Sequence, residues 1–345
     1  MMIYLILQVI GLFTVLIYVI IPFILYIFPH IFSKIIFLDF VYNIFTKLDK
    51  PENFNFNFQN WRNFKIVNEY SNCELGAWEI LSKVDENRKE SCSLKQIEFA
   101  EKFSNGNPII LYLHGNSMHR GSNHRLLLYH VLRESGFHIL TIDYRGFADS
   151  SGSIHNEDEA LEDAFVAYNY LKLTAPNSSI FLWGHSLGTG ISSLLLQKLS
   201  KMNECSAISG VILESPFTSI LETMDHIGLT WPWRFMPYFD RIFKKALLNQ
   251  KLAFNSIENL KETNNIILIL HAEDDKVLSF KMGKKLYSTL LSAGKDVYFK
   301  GFSSNLKYGH DYIVNCPELP DIIREFTTKA INTKKIGDTK HVNNI

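Results

Sequence analysis

Gly184-His185-Ser186-Leu187-Gly188 sets a serine between two glycines at the end of an apolar run. The run, residues 180–183, has the composition of a buried strand, and residues 191–199 carry Ile191, Leu194, Leu195, Leu196 and Leu199 at helical spacing. A strand that turns this sharply into a helix forces its central residue into a strained, exposed conformation, and a side chain on either flank would collide. Serine there is a candidate nucleophile; the alternative is a glycine-rich turn whose serine only caps the helix. The two are separated by whether the chain also supplies a base, an acid and donors for an oxyanion.

A serine hydroxyl holds its proton at neutral pH, so it needs a base, and the base needs a group that fixes its tautomer. Of the twelve histidines, His310 lies in Tyr308-Gly309-His310-Asp311, after the last expected strand and before the last helix. Loops beyond the carboxyl ends of parallel strands are where such sheets gather ligands. His114, His185 and His271 also fall at strand ends, but each belongs to a turn with another role. The acid is expected between serine and histidine in the chain. His271-Ala272-Glu273-Asp274-Asp275-Lys276-Val277 offers three carboxylates after an apolar strand. The Asp-x-Val pattern common to such loops in serine hydrolases selects Asp275, with Asp274 and Glu214 as the other choices. Oxyanion donors are expected in the backbone amides of Leu187 and of Asn116, which follows His114-Gly115. Residues 143–150 read as a loop that buttresses the site.

The elements that must position these residues alternate. An antiparallel pair is expected over 64–81, turning at Ser71-Asn72, then a polar loop. Strands at 108–113, 137–142, 180–183, 210–213, 266–270 and 297–302 follow, with helices at 124–133, 158–171, 191–199, 280–291 and 319–328. This order implies an α/β fold with a mainly parallel sheet and helices on both faces. The alternation breaks over about 217–260, where Trp231, Trp233, Phe235, Met236 and Phe239 crowd together. That insertion reads as a small lid whose apolar content suits an acyl chain or a bilayer, or as a helical insertion with inward-packed aromatics. The organisation is therefore a membrane helix (1–28), an amphipathic segment and linker (29–63), a catalytic domain (64–331) and a carboxyl-terminal tail (332–345).

Residues 1–28 carry no charge and are long enough to span a bilayer. A cleaved signal peptide fits less well, because no basic n-region precedes the run and no small-x-small site follows it. Lys34, Lys47 and Lys50 after the span favour a cytoplasmic domain by the positive-inside bias. Residues 31–45 are apolar at helical spacing, as a helix on the membrane surface or one packed in the core would be, and residues 53–58 alternate as a strand or linker. Lys plus Arg and Asp plus Glu are 35 each, with no basic stripe, which argues against a nucleic-acid partner. Cys73, Cys92, Cys205 and Cys316 show no metal-ligand spacing and read as free thiols, with a Cys73–Cys92 disulfide the alternative. No metal or cofactor is expected.

With these residues placed, the chain resembles the α/β-hydrolases, and within them the membrane-bound lipases of monoacylglycerol and lysophosphatidylserine, over about residues 28–326. The resemblance rests on Leu-Tyr-Leu-His-Gly-Asn at 111–116, Asp-Tyr-Arg-Gly-Phe at 143–147 and Trp-Gly-His-Ser-Leu-Gly-Thr-Gly at 183–190. Leu-Glu-Ser-Pro-Phe-Thr at 213–218, Leu-His-Ala-Glu-Asp-Asp at 270–275 and Pro-Glu-Leu-Pro at 317–320 extend it. It implies Ser186 as nucleophile, Asp275 as acid and His310 as base. It also implies a lipid substrate and an endoplasmic-reticulum membrane protein whose catalytic domain is lumenal, against the charge bias. Asn177-Ser178-Ser179 would then be a usable glycosylation sequon, or a capped turn. The amino-terminal region is shorter than the family's usual one, Ala148 stands where the family has glycine, and the lid matches least. A cytoplasmic acyl-protein thioesterase, or a non-catalytic scaffold of the same fold, is the alternative function.

Overall fold

The computed structural model describes residues 1–41, 47–49, 54, 61–83 and 96–342 of the 345-residue chain. It opens on one apolar rod of 26 residues, built from α1 (Met2–Val15), a π-helical turn (Leu16–Ile20) and α2 (Ile21–Ile27). At 1.5 Å per residue the rod is about 39 Å long, enough to cross a hydrocarbon layer of about 30 Å. Residues 1–16 are wholly exposed, and contact with the rest of the chain begins at Ile17 and Tyr18 and continues through Ile21, Pro22 and Leu25. That spacing is one helical stripe.

Of the stretch 31–45 with helical spacing, residues 42–45 lie outside the described residues, and among the described ones six are helical, α3 (Ile31–Ile36). Phe37 is extended, and Leu38 N–H then donates to Asn116 O at 2.8 Å, so the chain leaves the helix to pair with the loop after β3 (Ile109–Leu113). Phe32, Ile36 and Phe37 are buried, which makes this a core-packed segment and not a free surface helix. Of the alternating 53–58 stretch, all but Phe54 lies outside the described residues, as does Cys92; Cys73 is a buried free thiol.

The eight strands lie in the order β1-β2-β4-β3-β5-β6-β7-β8. Here β1 is Trp61–Asn68, β2 Cys73–Ile80, β4 His138–Ile142, β5 Ile180–His185, β6 Ile208–Glu214, β7 Ile267–Ala272 and β8 Val297–Phe302. β1 and β2 pair antiparallel, as does β2 with β4, and all pairs from β4 to β8 are parallel. Alternate strand residues face opposite sides, and two cores follow. Leu111, Leu113, Leu182, Val211, Leu213 and Ile269 pack with α6 (Glu157–Thr174), α7 (Leu187–Lys201) and α11 (Phe280–Ser292). Ile110, Tyr112, Phe181, Trp183, Ile212 and Leu268 pack with α5 (Asn123–Glu134) and α12 (Leu319–Val342). The sheet is therefore dry on both faces, and access to it is left at the strand ends.

Two elements depart from the sequence expectation. α4 (Gln96–Phe103) replaces part of the expected polar loop, held by Phe99 and Phe103 one turn apart and both buried. α12 continues to Val342, through the expected tail, with no proline after Pro320 to end it. Between β6 and β7 the chain forms α8 (Ile220–His226), a 3-10 turn (Gly228–Thr230), a π-helical turn (Asp240–Lys244), α9 (Lys245–Asn249) and α10 (Ser256–Lys261).

Candidate active site

β5 delivers Ser186 to the turn before α7, with φ 52° and ψ −117°, a backbone a β-carbon makes costly. The geometry that imposes it is visible on either side: a Cβ on Gly188 would lie 2.0 Å from Leu113 O, and one on Gly184 2.4 Å from Gly188 O. The helix thus starts against the end of β3, closer than any other residue allows. Ser186 N–H is bonded to Glu214 O at 3.0 Å, and its side chain makes no capping bond to α7. The capping alternative is thereby removed, and the hydroxyl is left facing a cavity that Ser186, Leu187 and Asn116 line.

His310 meets Asp275, not its competitors. His310 Nδ1–H donates to Asp275 Oδ2 at 2.8 Å, while Asp275 Oδ1 accepts Val277 N–H and Leu278 N–H, each at 2.8 Å. Asp274 instead accepts Gly309 N–H at 3.1 Å, holding the loop that carries the base. Glu214 lies buried under the elbow and accepts the Trp183 indole N–H at 2.9 Å. Burial alone would raise the Asp275 carboxyl, but hydrogen bonds from His271 and His310 outweigh it and hold it below the usual carboxylate range. Burial alone would lower His310, and Asp275 outweighs that too, so the imidazole is raised from its usual value. Glu214, buried with one indole donor, is pushed up to about 7.

Of the groups that brace this arrangement, the sequence assigns His185 and His271 to turns with another role and does not single out Ser215. His271 Nε2 lies 3.2 Å from Asp275 Oδ2 and 3.1 Å from Leu278 O, so a second imidazole flanks the acid. His185 Nε2 and Ser215 Oγ reach His310 O at 3.0 and 3.2 Å, fixing the base loop against the elbow. Their only sequence signal is adjacency to the motifs at β5 and β6. Beside them, ligand atoms of His124, His185 and Asp311 converge to within 4.8 Å, a cluster that sequence spacing does not reveal.

The loop holding Asn116 is tied down by two buried arginines. Arg125 donates to Ser117 O at 2.7 Å and His119 O at 2.6 Å. Arg120 is gripped by Asp143 and, at 2.6 Å, by Asp149, and Tyr144 OH donates to His114 O at 3.2 Å. Residues 143–150 do buttress this loop. Burial pushes Asp143 up to about 6, opposed by Arg120. Leu187 is the first residue of α7, so its amide has no intrahelical acceptor. The cavity is about 650 Å³, and beyond Ser186 its walls are mostly apolar: Phe217, Ile220 and Met224 after β6, Ile35 of α3, and Ile21 and Leu25 of α2, with Lys34, Thr223 and Thr230 among them.

A family model described as the alpha/beta hydrolase fold matches residues 108–311. A zebrafish (Danio rerio) protein named lysophosphatidylserine lipase ABHD12 is 37% identical over 316 residues, covering 90% of this chain and 80% of that one. Its bovine (Bos taurus) namesake is 36% identical, covering 91% and 78%, and human (Homo sapiens) protein ABHD12B is 32% identical, covering 87% and 82%. Among solved structures, the Pyrococcus furiosus esterase Pf2001 superposes with a TM-score of 0.58 at 17% identity, over 83% of this chain and 95% of that one, a likeness of fold alone.

Proposed function

This chain belongs to the α/β-hydrolase family, and from that premise we propose how its ester-cleaving serine chemistry is carried out and on what. His310 takes the proton of Ser186 as the serine oxygen attacks an ester carbonyl. The amides of Leu187 and Asn116 receive the oxyanion, Asp275 steadies the imidazolium, and the alcohol leaves with the proton from His310. Water then attacks the acyl-enzyme by the same route and frees a fatty acid. The substrate is a carboxylic ester of a glycerolipid, a lysophosphatidylserine or a monoacylglycerol. The observation that carries this reading is the cavity: a nucleophile and both oxyanion donors line it, and the walls beyond them are apolar except for Lys34, Thr223 and Thr230. The relatives' name supports the lysophospholipid, and the 26-residue apolar helix supports a membrane-anchored enzyme whose substrate stays in the bilayer.

A fluorophosphonate is expected to label the wild type and not Ser186→Ala, and purified enzyme in vesicles is expected to release fatty acid from both lipid classes. Equal labelling of the two proteins would refute the nucleophile; labelling without turnover of any lysolipid or monoacylglycerol would refute the substrate. We place the enzyme in the endoplasmic-reticulum membrane, single-pass, with the domain lumenal. Asn177 sits on an exposed turn and is open to glycosylation there. Protease protection of the carboxyl terminus in intact microsomes, with glycosylation at Asn177, is the expected result; digestion would put the domain in the cytoplasm and favour a thioesterase.

A further inference from the structure

A helix that only anchors a domain needs length and apolar side chains, and α1 meets that standard with every residue exposed. Below it the same rod behaves differently. At Leu16–Ile20 the helix widens into a π-turn just before Pro22, which has no N–H to return to the carbonyls one turn back, so carbonyls there are left without their ordinary partners. Two of them are taken by the insertion: Trp233 Nε1–H donates to Ile17 O at 2.7 Å, and Tyr238 O–H donates to Tyr18 O at 2.8 Å. Backbone groups at the edge of a hydrocarbon layer are costly to leave unpaired, so each bond fixes position as well as contact. Stacking extends the clasp, with Trp233 and Phe239 both against Phe243, and Phe243 edge-on to Phe32 of α3.

One turn beyond the clasp, Ile21 and Leu25 face the cavity that starts at Ser186. Phe40, Leu229 and Val277 also line it and are exposed, which marks where it reaches the surface. We propose that the amino-terminal helix is a wall of the acyl-binding cavity, clasped in register by Trp233 and Tyr238, and that the side chains at 21 and 25 set the length of acyl chain accepted. This rests on the glycerolipid-ester reading above. The occupant is the fatty-acyl chain of the substrate, seated with its ester at Ser186.

The test uses the full chain reconstituted in phosphatidylcholine vesicles and a series of lysophosphatidylserines and monoacylglycerols from medium to long acyl chains. Ile21→Trp narrows the cavity from the helix side, and Leu5→Trp adds the same bulk to the exposed part of the helix. Ile21→Trp is expected to lower kcat/KM for the longest chains by on the order of tenfold or more while sparing the shortest. Leu5→Trp is expected to keep the wild-type profile. Fluorophosphonate labelling of Ser186 reports in each case that the domain is folded, and Ile21→Ala, which enlarges the cavity, serves if Ile21→Trp is not labelled: its profile should move toward longer chains. An unchanged profile in a labelled Ile21 variant, or the same shift in Leu5→Trp, would overturn the proposal while leaving the substrate class intact. A wild type that labels but cleaves no lipid of the series would overturn the substrate class and this inference with it.

Discussion

At the carboxyl ends of β5 to β8 the side chains that meet are bonded on both sides: Asp275 is buried, accepts two amides and is flanked by two imidazoles, and His310 is held through its ring and its carbonyl. Between Ile220 and Asn249 the backbone runs through a short helix, a 3-10 turn and a π-turn, with Trp231 and Phe235 exposed and Trp233 and Phe243 buried. The first region fixes atoms to a few tenths of an ångström, as a reaction requires; the second encloses apolar volume, which many side chains would fill. Substitutions should therefore act in steps in the first and in degrees in the second.

The largest expected step is at the acid. Asp275→Asn should lower kcat by on the order of 10⁴, whereas Asp274→Asn, whose amide oxygen can still accept from Gly309 N–H, should cost less than about tenfold, a factor equal to 1.4 kcal/mol. Ester hydrolysis by the two variants, matched for folding by circular dichroism, decides it; equal losses would dissolve the contrast between a fixed acid and its neighbours. Next comes pH. His310 must be neutral to accept the serine proton, and its pKa is raised, so kcat/KM should fall as pH drops through a value above the ordinary 6.5 of histidine. A pH–rate profile whose acid limb lies at or below that value would contradict the ion pair.

In the insertion, Trp233→Phe keeps an aromatic ring and removes the donor to Ile17 O. The loss should be about 1 kcal/mol in thermal unfolding of the detergent-solubilised enzyme, with Ser186 labelling retained. An opposite effect of similar size is expected at Ala148, held at φ +48°. Ala148→Gly should raise stability by about 1 kcal/mol, because glycine occupies that region without a β-carbon clash.

What was legible from sequence follows the same division. Gly184, Gly188 and Ser186 stand out because the turn excludes other side chains, and the order of Asp275 and His310 follows from which strand ends face the elbow. The Asp-x-Val pattern selected Asp275 from the sequence, and what it could not give is the work of the other two: Asp274 holds Gly309 N–H and Glu214 the Trp183 indole, while Asp275 meets the imidazole. Arg120 and Arg125 were silent because a buried arginine reads as a surface charge until its acceptors are seen. α3 ended early because apolar spacing does not record a hydrogen bond from Leu38 to Asn116. The contact between residues 17–18 and 233–238 had one signal in the sequence, Pro22, whose missing N–H leaves a carbonyl one turn earlier unpaired, but nothing marked Trp233 and Tyr238 as the donors that take it.

The π-turn at Leu16–Ile20 also divides the rod into two parts that answer differently to a change of register. Each helical residue turns the chain by about 100° and advances it by about 1.5 Å. Deleting one residue from α1, above that turn, would leave the clasped stripe in place and swing the residues before the deletion around the axis by about 100°. Because residues 2–15 carry no charge and are apolar apart from Gln8, Thr14 and the Tyr4 hydroxyl, the bilayer would meet a similar surface at every angle. The phase of the outer helix is thus free to drift, while the phase of Ile17, Tyr18, Ile21 and Leu25 is not.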